Sequence, residues 1–145
     1  PPSAPTEPER DKPEQAEIIG RNRAGAFRTD AQRGLDNVRR RFTRTFEAAG
    51  DLEGRSVLDL GCGSGRYLIE AVSRGAQRVV GVDFAPEMIE VARALAEASP
   101  NGDRIQLYCG DVRDLEPAGP FDLVIANGLF DYFENPLPVL AAAWH

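Results

Sequence analysis

From Ser56 onward, short apolar runs alternate with amphipathic runs, and that alternation restricts the fold more than any other feature of the chain. SVLDLG reads as a strand and GRYLIEAVSRG as a helix stopped by Gly75. RVVGVDF is a second strand, and PEMIEVARALAEA a helix with Pro86 in its first turn. RIQLYCG is a third strand, DVRDLEPAGP a loop of turn formers, FDLVIANG a fourth strand, and NPLPVLAAAWH opens another helix. Apolar strands separated by helices predict an α/β fold: a parallel sheet with helices on both faces. Right-handed crossovers then leave few topologies.

The remainder of the chain reads differently. Residues 1–17 hold five prolines, seven charges and no large apolar side chain, so this tail is expected to be disordered. Residues 18–54 form an N-terminal helical and lid segment. Within it Leu35, Val38, Phe42, Phe46 and Ala49 recur at helical spacing from Thr29 onward. Thr29 or Asp30 caps the start of that helix and Gly50 ends it. Its apolar stripe is expected to dock on the sheet module, residues 55–145, and RNRAGAFRT to cover the pocket as a hinged lid.

Net charge is –6 and unevenly distributed. Residues 18–55 carry +4 and residues 56–145 carry –7, so the sheet module disfavours polyanions. Nucleic acid is therefore a weaker candidate partner. The arginine-rich helix could track phosphate, although a solvated charged face is the commoner use of such a run. No apolar run is long enough to span a bilayer, and the expected address is cytoplasmic. Cys62 and Cys109 read as reduced core thiols on the first and third strands.

In open parallel sheets the ligand sits beyond the carboxyl ends of the strands. Gly61, Gly63 and Gly65 follow the first strand there, Asp83 ends the second, Asp111 follows the third and Asn127 ends the fourth. The glycines do not complete a dinucleotide fingerprint, because Arg66 stands where the third glycine is required. Nor does a Gly-Lys-Ser/Thr follow, as a nucleotide-hydrolase loop needs. Asp59, two residues before the first glycine, repels a pyrophosphate and attracts an ammonium. Asp83 can accept from ribose hydroxyls and Asp111 from an adenine amino group. An ammonium, a ribose and an adenine with no phosphate between them describe S-adenosylmethionine. Taken singly, the three aspartates also serve as caps or turn formers.

VLDLGCGSG, VVGVDFAPEMIEVAR, RIQLYCGDVRDL and FDLVIANGLFDYFENP together resemble the class I, seven-strand S-adenosylmethionine-dependent methyltransferases. The resemblance runs from about Gly54 to the end of the chain. It implies the strand order 3-2-1-4, the first four strands of the family's sheet. It places Asp59 near the methionine amino group and lays the Gly61–Gly65 turn, with Cys62, Gly63 and Gly65 in it, along the methionine and ribose. Asp83 would hold the ribose, Phe84 would pack on the adenine, and Asp111 with the Val112 N–H would bind the adenine edge. Asn127 would lie beside the methyl donor. Where relatives that methylate small molecules often carry a histidine, this chain has Asp131, so Asp131 and Tyr132 are the catalytic candidates. The plainer alternative makes Tyr132 and Phe133 pocket walls and Asp131 a turn cap.

NGLF departs from the Asn-Pro-Pro-aromatic pattern of enzymes that methylate base amines, so a small-molecule acceptor is expected. A nicotinamide-dependent oxidoreductase and a non-catalytic binding or assembly module are the alternatives. No metal is expected. The implied absence of the family's later strands leads to two further expectations: an isolated polypeptide of these residues is inactive, and it self-associates through the exposed fourth strand.

Overall fold

The computed structural model describes residues 20–21, 27–28, 30–114, 120–127, 129–130 and 133–144. The lid segment lies mostly outside the described residues, as do the catalytic candidates Asp131 and Tyr132. The chain divides into two compact units, Pro1–Arg44 and Thr45–His145.

In the first unit, β1 (Gly20–Arg21) and β2 (Phe27–Arg28) pair antiparallel. Most of α1 (Asp30–Ala49) follows. The helix ends at Gly50, whose φ of +69° is costly for a residue with a Cβ. The expected apolar stripe is buried only toward its end: Leu35 and Val38 are 66% and 47% exposed, whereas Phe46 is buried. Phe46 has what burial requires. Its ring stacks on Tyr67 at 5.8 Å, and the Arg74 guanidinium lies 4.8 Å from its centre.

The second unit contains β3 (Ser56–Leu60), α2 (Arg66–Ser73), β4 (Arg78–Asp83), α3 (Pro86–Glu97), β5 (Ile105–Cys109), β6 (Leu123–Ile125) and α4 (Leu137–Trp144). The sheet order is β5-β4-β3-β6 and every pairing is parallel. Numbered within the sheet, that is the order 3-2-1-4 expected from the sequence. β6 is shorter than the FDLVIANG run suggested: only Val57, Leu58 and Asp59 of β3 find partners on it.

Alternation along β3 and β4 divides the core. Leu58, Leu60, Val80 and Val82 form one face with Val112 and with Val139 of α4. On the other face Gly81 lies against Leu68 of α2, and Asp59 is its register partner on β3. The sheet is thus covered on both sides, and one acidic side chain is enclosed in it. Cys62 is buried as expected, although it sits in the turn after β3 rather than on the strand. Cys109 corrects the expectation of a core thiol. It is exposed, because β5 is the outer strand of the sheet. Both thiols are free.

Candidate functional site

The parallel strands deliver their carboxyl ends to one edge, and the backbone there is tied together loop by loop. After β3 the chain turns sharply, and the N–H groups of Gly61 and Cys62 both donate to Val82 O of β4, at 2.8 and 2.9 Å. Gly65 N–H then closes the turn on Cys62 O at 3.0 Å. At the end of β4, Asp83 Oδ2 accepts the Gly63 N–H and Oδ1 the Ala85 N–H, each at 2.9 Å. Its main-chain oxygen accepts the Gly110 N–H from the loop after β5, also at 2.9 Å. Asp83 therefore holds three loops. The second contact is a tight turn onto its own loop rather than a cap of the following helix, whose N-cap is Ala85 with no side-chain bond, and each carboxylate oxygen keeps a lone pair for another donor.

Asp59 is the electrostatic centre. It is 2% exposed, and among the described residues its Oδ2 has no hydrogen-bond partner. Burial first, and the Asp83 charge second, push its carboxyl up to about 7. Burial, with the charges of Asp59 and Asp83, pushes the Cys62 thiol up to about 12, so Cys62 stays uncharged and unreactive. An enclosed acceptor with nothing bonded to it fits a cationic donor and is poorly matched to a phosphate.

Asp83 lines a cavity of about 300 Å³ with Gly61, Phe84, Asp111, Arg113 and Phe133 among others, whereas Asp59, Cys62, Gly63, Gly65 and Asn127 are not in its wall. Val112 contributes to its wall, and Phe84 is 79% exposed. Asp111 already has partners within its own loop. Its carboxylate is gripped by Arg113, whose hydrogen bonds hold it near 2. Asn127, past the end of β6, donates from Nδ2 to Thr45 Oγ1 at 3.0 Å. Sequence reasoning missed Arg113, Leu129 and Gly110 as cavity residues. Only the Asp-x-Arg spacing signalled the first of them. A larger groove of about 420 Å³, lined by residues such as Arg93, Glu97, Asn101 and Asp103, contains none of the residues at the carboxyl ends of the strands. Among the described residues there is no cluster of three metal-ligating side chains, and no helix is long and apolar enough to cross a membrane.

Residues 57–145 match the family described as a methyltransferase domain. The chain belongs to that family. The resemblance to the class I, Rossmann-like, S-adenosylmethionine-dependent methyltransferases holds over the four strands present. Ribosomal protein L11 methyltransferase of Salmonella arizonae is 37% identical over 91 residues, which cover 63% of this chain and 30% of that protein. This chain thus matches under a third of the length of such curated relatives. An S-adenosylmethionine-dependent methyltransferase from Thiobacillus denitrificans, solved with S-adenosyl-L-homocysteine, superposes with a TM-score of 0.61 at 26% identity, over 72% of this chain and 44% of that one. Another from Mesorhizobium loti gives 0.59 at 28% identity, over 70% and 47%.

Proposed function

We propose that this chain binds S-adenosylmethionine and serves methyl transfer to a small-molecule acceptor. The observation that carries the reading is Asp59: a buried carboxylate with an unpartnered oxygen, preceding the glycine turn of a methyltransferase domain. When bound, the cofactor supplies a methyl group on a sulfonium, open to in-line displacement by a nucleophile. The chain's own part is to hold, align and exclude water.

In this reading Asp59 faces the cofactor's ammonium, and the Gly61–Gly65 turn, with Cys62 and Gly63, follows its amino-acid arm. Asp83 accepts from the ribose with the lone pairs left over from Gly63 and Ala85. Phe84 offers an exposed ring face to the adenine, and Asp111 with the Val112 N–H reads its edge. Asn127 borders the methyl donor. Asp131 and Tyr132 remain the catalytic proposals on the sequence alone. Asp131 would take the proton of an acceptor that arrives protonated.

A small-molecule acceptor is supported by the acidic sheet module and by the NGLF sequence. A protein acceptor is the second reading, favoured by the 37% identity to a ribosomal protein methyltransferase. The nicotinamide alternative has neither the glycine pattern nor the family on its side. Calorimetry with S-adenosylmethionine and with NADH tests the cofactor: binding of the first alone is expected, and binding of NADH alone overturns the reading. Transfer of labelled methyl groups to a metabolite extract, rather than to ribosomal proteins, tests the acceptor.

A further inference from the structure

One side chain at this edge of the sheet is used by neither the fold nor the cofactor reading. Arg113 follows Asp111 by two residues, and its backbone N–H donates to Asp111 Oδ1 at 2.9 Å in a tight turn. The side chain then folds back. Nε lies 2.9 Å from Oδ1 and 3.0 Å from Oδ2, and Nη2 also bonds Oδ2. The guanidinium carbon lies 5.8 Å from the centre of the Phe133 ring. Asp111 follows β5 and Phe133 follows β6, the two outer strands of the sheet. All three residues line the 300 Å³ cavity with Gly61, Asp83 and Phe84. The arginine therefore links loops that come from opposite edges of the sheet.

We propose that Arg113 is a positioning residue that braces Asp111 against Phe133 and so sets the site's preference for a purine bearing an amino group. The inference rests on the reading of Asp111 as the acceptor for the adenine edge. A carboxylate has about four lone-pair sites. Oδ1 receives the Arg113 backbone N–H and Nε, and Oδ2 receives Nη2 with a share of Nε. One acceptor site on Oδ2 is left, in a carboxylate whose plane is fixed. An exocyclic amino group can donate to that site, whereas a ring carbonyl in the same place meets a lone pair. Sites that pair with a polar group of the ligand reject analogues that leave the pair unmade. Without the arginine, the carboxylate is free to rotate into water and the distinction weakens. Arg113 is largely exposed and Asp111 is half-buried, so the pair's contribution to folding is small and its role is separable from stability.

The test is calorimetry on the whole chain with two probes, S-adenosyl-L-homocysteine and its 6-oxo (inosine) counterpart. The parent is expected to favour the amino form by about tenfold or more. Arg113→Ala is expected to reduce that preference to about threefold or less while leaving the melting temperature near the parent's. Arg113→Lys keeps the charge but not the planar fork, so it is expected to lose the preference as well, and it decides the matter should the alanine variant misfold. Parent-like preference in either arginine variant, with preference lost in Asp111→Asn, overturns the brace and leaves Asp111 as the acceptor. Preference kept in Asp111→Asn overturns the reading of Asp111, and the brace with it. Failure of the parent to bind S-adenosyl-L-homocysteine overturns the cofactor assignment itself.

Discussion

Asp83 Oδ2 accepts the backbone N–H of Gly63 at 2.9 Å, joining the end of β4 to the glycine turn that follows β3. The same carboxylate accepts the Ala85 N–H, so the side chain proposed to meet the ribose also shapes the loop beneath it. Asp83→Ala should weaken S-adenosylmethionine binding by about 1.5–3 kcal/mol, the range for hydrogen bonds to a charged group. Asp83→Asn should recover little, because its amide nitrogen turns a donor toward one of the two backbone donors. Calorimetric affinities decide this, and a variant that binds like the parent removes Asp83 from the site.

The glycines of the turn should fail in different ways. Gly65 has φ +85°, and a Cβ there would stand 3.0 Å from the Ala92 Cβ of α3. Gly65→Val should destabilise the fold by about 2–4 kcal/mol through crowding and backbone strain together. Gly63 has φ +52° but open space within 4 Å of its would-be Cβ. Gly63→Val should cost roughly 1–2 kcal/mol of strain, yet lose cofactor affinity, since it changes the turn proposed to follow the cofactor's amino-acid arm. Urea unfolding and calorimetry on both variants separate the two effects.

Gly81 tests the packing beneath the site. A Cβ there would lie 2.5 Å from Leu68 Cδ1 and 3.0 Å from Cys62 Sγ, within the β4 register that pairs it with Asp59. Gly81→Ala should destabilise by about 1–3 kcal/mol, softened to the extent that the end of Leu68 can turn away. Chemical denaturation reads the value.

Much of this was legible in the residues because the relevant signals are local. Apolar runs bounded by glycine and aspartate gave the strands, and parallel winding brought their ends to one edge, so Asp59, Asp83 and Asp111 could be grouped before any coordinate. What escaped depends on neighbours that are distant in sequence. Cys109 looks like Cys62 in the chain, but one lies on the outer strand and the other is buried in the turn after β3. Phe46 reads as one position of a helical stripe until the fold sets its ring on Tyr67. Arg113 reads as one more loop charge until the fold places Phe133 near it.

Asp59 supplies the last prediction, through the pH dependence of stability and of binding. Burial raises its carboxyl from the ordinary 3.8 to about 7 in the folded chain. Between those values the folded state holds a proton that the unfolded state has lost, so this group's contribution to stability falls as pH rises from about 4 to 7. Above that it levels off, and the loss is on the order of 4 kcal/mol. Cys62, held near 12, stays protonated throughout and adds no slope there. Asp59→Asn should therefore be more stable than the parent at pH 8 and lack this part of the slope. A ligand ammonium facing Asp59 reverses the preference, because it favours the ionised carboxylate. S-adenosylmethionine should then bind more tightly as pH rises toward 7, approaching about tenfold per unit below it, and binding at pH 6 should release close to one proton. Calorimetry in two buffers of different ionisation enthalpy measures that proton directly, and it should be absent in Asp59→Asn. Proton release that is the same in parent and variant would mean that the cation lies elsewhere and that the buried carboxylate of β3 serves only the fold.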